Sequence, residues 1–394
     1  MLSPSARPAI ERLPASRIRE VANAGLGRSD VLPFWFGEGD ETTPAFIRDA
    51  AIAALAAGDC FYGHNLGLAE LRAALAAYLN RLRAPRVALG PERIAVTSAG
   101  VNALMLAAQA LLSPGDRVAV VTPVWPNLTA IPEILGAQVL RVPLSNCDGA
   151  WSLDLDRLLD AATPATRMVL VNSPNNPTGW TMPQPQWDAL LAHCRRHGIW
   201  LVSDDTYERI AFDTADGLAP GVLGQVEADD RVVSANTFSK AWSMTGWRLG
   251  WLVAPAPLIE QIGKLIEFNT SCAPPFVQKA AAVALEQGEP WVAHVQARLR
   301  TARAALLAQL ADLPGVIAAP PAGAMYLFLR IAGASDDSLA CAKALVREAG
   351  LGLAPGVAFG PEGEGWLRWC FASTPQRLAD GAARLAGYLQ RQRQ

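Results

Sequence analysis

Lysine is scarce in this sequence of 394 residues, which has 34 basic residues but lysine only at Lys240, Lys264, Lys279 and Lys343. Chemistry that needs a side-chain primary amine therefore has four candidates. An excess of charge of one sign is also absent, because 36 acidic residues bring the net charge to −2 and the pI to about 6.1. This balance argues against electrostatic capture of nucleic acid or of an anionic membrane surface. A small-molecule partner is expected instead.

Cysteine pairs and long apolar runs are missing as well. The six cysteines are scattered and form no C-x-x-C pair, so we expect reduced thiols in a chain that is long enough to fold without disulfides. The first 20 residues contain no apolar signal-peptide core, and the most apolar long stretch, Ala99 to Leu112, is too short to span a bilayer. The sequence therefore predicts a cytoplasmic protein.

The order of apolar segments predicts the fold class. Short runs rich in Val, Ile and Leu alternate with segments of helical period, which is typical of a buried, mostly parallel sheet. Strands are predicted at 94–97, 117–122, 138–142, 167–172, 199–204, 231–236 and 248–253, and helices at 44–57, 68–83, 100–111, 153–161, 185–197 and 257–267. After Pro274 a long helix at 278–311, strands at 325–331 and 366–371 and a helix from 376 to the chain end follow.

This pattern predicts an α/β fold with a mostly parallel central sheet, helices on both of its faces and a smaller α+β domain. We assign residues 46–284 to a large α/β domain, whose strand ends carry the candidate binding residues described below. Residues 1–45 and 285–394 form the predicted small domain.

Lys240 carries the strongest local signal, because it comes directly after the apolar strand predicted at 231–236. Desolvation there would lower the pKa of the amine and favour the neutral form, which attacks carbonyl groups to give a Schiff base. Eight residues later Arg248 offers a forked donor suited to phosphate. A structural lysine and an ion-paired arginine are the alternative interpretation.

Two further strands end in polar side chains. The segment N-S-P-N-N-P-T-G at 172–179 places Asn176 in an irregular loop at the carboxyl end of a strand, where open α/β sheets bind ligands. Asp204 ends the next strand, and a buried carboxylate there needs a cationic partner such as a protonated ring nitrogen or an arginine. For Asp205 we favour an N-cap of a following helix.

The segment T-S-A-G-V-N-A at 97–103 runs from a strand into a helix through small residues. Free amides at such a helix start bind anions, although many strand-to-helix turns look alike. Trp125 ends the following strand and could cover the face of a flat ring, with core packing as the alternative. Together with the lysine, acid, asparagine and arginine, these groups suit a phosphorylated pyridine aldehyde.

With these residues the chain resembles the class I and II aminotransferases. They are aspartate aminotransferase-like enzymes of the fold-type I group, which depends on pyridoxal phosphate. The similarity rests on S-K-x-x-x-x-T-G-W-R-x-G at 239–250 and N-P-T-G at 176–179, in this order. It implies that Lys240 binds pyridoxal 5′-phosphate covalently and later moves a proton between the substrate Cα and C4′ of the cofactor. Asp204 would keep the pyridine nitrogen protonated, and Asn176 and Tyr207 would bind the ring oxygen O3′.

The same resemblance implies where the phosphate and the substrate bind. The phosphate would be held by Arg248, by the hydroxyl of Thr237 or Ser239, and by the amides of Ala99, Gly100 and Val101; Trp125 would stack on the ring. The apolar side chain of Val101 limits that position to a backbone contact.

Three positions near the chain ends also match the family. Arg368 corresponds to the arginine that binds the substrate α-carboxylate, and the backbone of Gly37, together with Asn176, would lie beside that carboxylate. Residues 62–72 are similar to the family element in which a tyrosine, here Tyr62, reaches the phosphate of the neighbouring subunit. A homodimer with shared active sites follows by analogy. The sequence predicts no metal site, since His193 and His197 have no third ligand nearby in the sequence.

The leading hypothesis is therefore an aminotransferase that moves an amino group between an L-amino acid and a 2-oxo acid by a ping-pong mechanism. A β-lyase, such as a carbon-sulfur lyase, or a cyclopropane-forming synthase would use the same lysine, aspartate and arginine. A transcription regulator with an aminotransferase-like sensor is less favoured, because the match begins by about Gly37 and leaves few residues for a DNA-binding domain. The amino-acid donor stays open.

Overall fold

The computed structural model describes residues 5–147, 150–332 and 336–392. Its helices are α1 (Pro8–Glu11), α2 (Arg17–Ala24), α3 (Ala45–Ala56), α4 (Ala69–Arg83), α5 (Gly100–Leu111), α6 (Asn127–Ile134), α7 (Leu155–Ala161), α8 (Gln184–His197), α9 (Ala256–Glu267), α10 (Pro275–Gln287), α11 (Glu289–Ala311), α12 (Ser338–Ala344) and α13 (Pro375–Arg391). None of these helices is long and apolar enough to cross a membrane. The end of the predicted C-terminal helix, residues 393–394, lies outside the described residues.

The strands form one large sheet, one smaller sheet and two short pairs. They are β1 (Leu32–Pro33), β2 (Ile94–Thr97), β3 (Arg117–Thr122), β4 (Gln138–Pro143), β5 (Ser145–Cys147), β6 (Ala150–Ser152), β7 (Thr166–Asn172), β8 (Trp200–Asp204), β9 (Val232–Thr237), β10 (Gly250–Val253), β11 (Val316–Ala318), β12 (Tyr326–Ile331), β13 (Leu351–Gly352), β14 (Ala354–Pro355) and β15 (Trp366–Cys370).

The large sheet has seven strands in the order β2-β10-β9-β8-β7-β3-β4. Only β10 runs against its neighbours, whereas β4, β3, β7, β8 and β9 pair in parallel. This arrangement confirms the predicted mostly parallel sheet. Because parallel strands end at the same sheet edge, the loops after β7, β8 and β9 lie side by side.

Helices cover both faces of the large sheet, as predicted. On one face Ile47 of α3, Leu71 of α4 and Trp187 of α8 belong to one buried apolar cluster. On the other face Leu104 of α5 and Ile259 of α9 belong to a second cluster. Strands buried on both faces are mostly apolar, which explains the Val, Ile and Leu runs in the sequence.

The smaller sheet is antiparallel in the order β11-β12-β15-β14. Its apolar cluster includes residues of α2 near the N-terminus and of α11 and α13 in the C-terminal part, for example Val21, Leu306 and Leu385. Strand β1 pairs with β13 and ties the N-terminal segment to the same region. The predicted division at residues 45/46 and 284/285 stays a proposal.

Two predicted elements were wrong in detail. The helix predicted at 278–311 is two helices, α10 and α11, because Pro290 at the start of α11 has no amide hydrogen for a continuous helix. The strand predicted at 248–253 begins only at Gly250. Arg248 instead has a left-handed backbone with φ of +53° after the short 3₁₀ turn Thr245–Trp247, so its direction is set by that turn.

Candidate active site

A cleft of about 930 Å³ lies at the carboxyl ends of β7, β8 and β9 and beside the smaller sheet. Thirteen of the fourteen predicted site residues line it: Gly37, Ala99, Gly100, Val101, Trp125, Asn176, Asp204, Tyr207, Thr237, Ser239, Lys240, Arg248 and Arg368. Residues separated by as many as 331 positions in the chain therefore share one cavity.

Lys240 lies three residues beyond the end of β9, and its Nζ donates a hydrogen bond of 2.5 Å to the carbonyl oxygen of Gly37. Burial lowers the pKa of the amine to about 8, and the positive charges of Arg368 and Arg248 act in the same direction. An amine with this pKa is partly neutral near neutral pH, as a nucleophile or proton acceptor must be.

Asp204 is the last residue of β8 and is almost fully buried. Its Oδ1 accepts hydrogen bonds from the amide of Thr206 at 3.2 Å and from the hydroxyl of Thr206 at 2.7 Å. Burial raises the pKa of this carboxyl group to about 6, although the Thr206 hydrogen bonds and the charge of Lys240 oppose the shift. A carboxylate in this position favours a cationic group as its partner.

The side chain of Arg368, on β15, is held between two aromatic rings. Its Cζ lies 4.4 Å from the ring centre of Tyr326 and 4.9 Å from that of Phe359. Nη1 donates to Oδ1 of Asn176 at 3.0 Å, and Nη2 donates to the carbonyl oxygen of Trp35. Stacking and hydrogen bonds together fix the plane of the guanidinium group, as bidentate recognition of a carboxylate requires.

Tyr326 is a site residue that our sequence analysis missed. Its hydroxyl lies 2.6 Å from that of Tyr207, and both rings are buried. Burial raises the pKa of Tyr207 well above its usual value and that of Tyr326 to about 12, so both phenols stay protonated. The only signal in the sequence was a tyrosine at the start of a predicted strand, in a chain with five tyrosines.

The start of α5 and the residues at the end of β9 line the same part of the cleft. The amides in the first turn of α5 have no partner within the helix, as in any α-helix, and no side chain caps them. Ala99 has a φ of +98°, a backbone region that favours glycine, at the turn from β2 into α5. The hydroxyls of Thr237 and Ser239 lie 2.9 Å apart and line the same cleft.

The N-cap interpretation of Asp205 was wrong. The residues after it form turns rather than a helix, and its carboxylate accepts hydrogen bonds from the hydroxyls of Ser203 and Ser234. Successive residues of a strand point to opposite faces, so Asp205 points away from the side that carries Asp204. The cleft therefore receives one of these two adjacent carboxylates.

Tyr62 is the predicted site residue that does not line the cleft. Its side chain is 90% exposed, and the neighbouring Phe61 is 84% exposed. The described residues of a single chain therefore do not bring Tyr62 to the site.

Comparisons with known proteins agree with this geometry. Residues 33–385 match the family model described as aminotransferase class I and II. The chain is 31% identical over 372 residues to an aspartate aminotransferase of Pyrococcus horikoshii, covering 94% of this chain and 93% of the relative. It is 32% identical over 357 residues to an arginine–pyruvate transaminase of Pseudomonas aeruginosa, covering 91% and 89%.

A solved structure of a mutant Thermus thermophilus aspartate aminotransferase superimposes with a TM-score of 0.90 at 30% identity, covering 98% of this chain and all of that one. The fold and the family predicted from the motifs are thus confirmed. With a family model that spans most of the chain and relatives named for transamination, this protein belongs to the class I and II aminotransferases, enzymes that transfer amino groups.

Proposed function

We propose that the cleft binds pyridoxal 5′-phosphate and that the enzyme uses it to move an amino group from an L-amino acid to a 2-oxo acid. The donor set fits this cofactor. A guanidinium group, two hydroxyls and an uncapped helix start suit a phosphate ester, and they come from Arg248, Thr237, Ser239 and the first turn of α5. The lysine amine suits the aldehyde, and the carboxylate of Asp204 suits a ring nitrogen that carries a proton.

When bound, this cofactor withdraws electrons from the substrate Cα and so makes the Cα proton acidic. Asp204 would hold the positive charge on the ring nitrogen, which maintains that withdrawal. Asn176 and Tyr207 would donate hydrogen bonds to the ring oxygen. Trp125, half-buried in the cleft wall, would cover the ring.

Lys240 would act first as the covalent anchor of the cofactor and then as the proton carrier. Once the incoming substrate amine had freed it, its neutral Nζ would take up the proton from the substrate Cα and return it later in the transfer of the amino group. The lowered pKa serves both roles, because the amine must be free of a proton before each of them. The carbonyl oxygen of Gly37 is a resting partner for the amine.

Arg368 would bind the α-carboxylate, which all amino-acid donors and 2-oxo acid acceptors share. A donor enters, leaves as its 2-oxo acid, and an acceptor then takes up the amino group at the same place. This alternation of donor and acceptor is a ping-pong scheme. Both half-reactions would use the same carboxylate site. The nearby backbone of Gly37 would lie beside that carboxylate.

We further propose a homodimer in which Tyr62 completes the phosphate site of the partner subunit. Four large apolar side chains support an interface, because Ile52, Phe61, Tyr62 and Phe268 are between 63% and 91% exposed. Side chains of this size at such exposure mark interaction surfaces when they form a patch.

The observation that carries the proposal is the convergence of Lys240, Asp204 and Arg368 on one cleft, with a lowered pKa at the lysine. The test is the visible absorption spectrum of the protein with pyridoxal phosphate, recorded before and after each of a panel of amino acids without any oxo acid. Conversion of the bound cofactor to its amine form, with one equivalent of 2-oxo acid, is expected for at least one donor. A cofactor that survives every donor, or pyruvate and ammonia formed catalytically from a cysteine conjugate, would overturn it.

A further inference from the structure

A line of buried hydrogen bonds runs from the end of α4 to the side of the cleft proposed to hold the phosphate. It starts at Arg83, the last residue of α4, and passes through Glu208, in the turns after β8. It continues to Asn236 on β9 and ends at Thr237, which lines the cleft. Neither Glu208 nor Asn236 lines the cleft itself, and the proposed chemistry uses neither of them.

Glu208 is held in one orientation because its two carboxylate oxygens have different partners. Oε2 accepts from Nη2 of Arg83 at 2.5 Å and from Nε at 3.2 Å. Oε1 accepts from Nδ2 of Asn236 at 2.5 Å. The side chains of Arg83 and Glu208 are only 6% and 3% exposed, so water cannot replace either partner.

The charge on Glu208 also decides which way the Asn236 amide points. A carboxylate only accepts hydrogen bonds, so the amide must turn its NH₂ group toward Glu208 and its oxygen away. That oxygen, Oδ1, accepts the backbone N–H of Thr237 at 2.7 Å. By orienting Asn236, Glu208 therefore also restrains the backbone amide of Thr237.

The hydroxyl of Thr237 in turn restrains Ser239 through a hydrogen bond. It donates to the carbonyl oxygen of Leu249 at 3.0 Å and accepts from the amide of Ser239 at 3.1 Å. The two hydroxyl oxygens lie 2.9 Å apart. Thr237 is therefore held by hydrogen bonds to both Asn236 and Leu249.

We propose that Glu208 and Asn236 are positioning residues that fix the hydroxyls of Thr237 and Ser239 for the phosphate ester of the cofactor. The inference rests on the proposed function, since it assigns the phosphate to this side of the cleft. Glu208 and Asn236 would then contribute to the binding of the phosphate group and not to the binding of the pyridine aldehyde.

The test compares dissociation constants for pyridoxal 5′-phosphate and for phosphate-free pyridoxal, measured by absorbance titration of the cofactor-free protein. Asn236→Asp replaces the donor to Glu208 with a second carboxylate, and we expect about tenfold weaker binding of pyridoxal phosphate. Binding of pyridoxal should change less than twofold. The double variant Asn236→Asp with Glu208→Gln reverses the hydrogen bond and should restore the affinity for pyridoxal phosphate to within about threefold.

Asn80→Asp is the matched control. Asn80 makes the same kind of paired bonds, to the amide and carbonyl of Leu89 at 2.8 and 2.9 Å, and it does not line the cleft. It should leave the ratio of the two dissociation constants unchanged even if the thermal midpoint falls. If Asn236→Asp does not fold, Arg83→Lys, which leaves one donor to Glu208, should lower the affinity for pyridoxal phosphate alone by about threefold.

The inference would be overturned by an equal loss for both ligands, by no loss, or by a double variant as weak as the single one. Failure of the proposed function has a different result. In that case the unmodified protein would bind neither ligand, or would bind pyridoxal as tightly as its phosphate ester.

Discussion

The guanidinium group of Arg368 donates a hydrogen bond of 3.0 Å from Nη1 to Oδ1 of Asn176, and this bond joins the smaller sheet to a loop of the large one. Because the amide oxygen of Asn176 is already engaged, its NH₂ group is the part that can donate to a ligand oxygen. A residue proposed to bind the cofactor and a residue proposed to bind the substrate are thus oriented by each other.

Replacing Arg368 tests the carboxylate site. Loss of a buried charged hydrogen bond costs about 2 to 5 kcal/mol, so Arg368→Ala should raise KM by at least about thirtyfold for every amino-acid donor. Steady-state kinetics with several donors measure this, and the exposed Arg377→Ala on α13 is the control. An increase confined to one donor would instead assign Arg368 to the side-chain end of the substrate.

Lys240 should be indispensable, because it is the only one of the four lysines that lines the cleft. We expect Lys240→Ala to bind no cofactor covalently and to lose at least about a thousandfold in kcat, the scale of an activated covalent nucleophile and proton carrier. Borohydride reduction followed by mass spectrometry detects the covalent link. Lys264→Ala should keep both properties, since Lys264 lies on α9 and contacts Gln261; normal turnover by Lys240→Ala would refute the assignment.

The pKa of Lys240 predicts how cofactor capture depends on pH. Burial lowers this pKa to about 8, and only the unprotonated amine attacks an aldehyde. The rate of cofactor incorporation into the cofactor-free protein should therefore rise about tenfold from pH 7 to pH 9 and then level off. Stopped-flow absorbance gives the profile; a midpoint near 10.5 would mean that the amine is not desolvated.

Asp204 should lower the stability of the cofactor-free protein above pH 6. Its pKa in the folded protein is raised to about 6, whereas that of an unfolded chain is about 3.9, so stability falls as pH rises between these values. Asp204→Asn removes the penalty and should gain about 3 kcal/mol in the free energy of unfolding at pH 7.5 and only about half a kcal/mol at pH 4.

Urea unfolding of the cofactor-free protein at the two pH values measures this difference. The exposed Asp160→Asn on α7 is the control and should change neither value. The stabilised Asp204→Asn variant should nevertheless lose most of its transaminase activity, because the proposed partner of the ring nitrogen is gone. Equal stability of Asp204→Asn and the unmodified protein at pH 7.5 would contradict the prediction.

Shared active sites can be tested by mixing two inactive variants. Co-expressed Lys240→Ala and Tyr62→Ala chains should form mixed dimers in which the intact Tyr62 of one subunit completes the site that holds the intact Lys240 of the other. Random pairing should return about a quarter of the unmodified activity. Tagging each chain differently shows whether mixed dimers form; mixed dimers without recovered activity would exclude this role of Tyr62.

Several features of the fold could be read from local patterns. The strands at 94–97 and 117–122 and the helix at 100–111 have the predicted bounds, because their residues are apolar and end at polar or glycine-containing turns. The carboxyl ends of β7, β8 and β9 carry the predicted polar groups, since this edge of a parallel sheet is where side chains can meet a ligand. Where local rules failed, as for Asp205, a tertiary partner had replaced the local one.

The sequence by itself determined which chemical groups are available: an acid at the end of one buried strand, a lysine after the following strand, an arginine in a late strand and the motifs that contain them. Only the tertiary structure decided how those groups contact each other. The bonds of Tyr207 with Tyr326 and of Arg368 with Asn176 span 119 and 192 positions. Such pairs depend on strand register and on the packing of two sheets, and neither is encoded in the local spacing of residues.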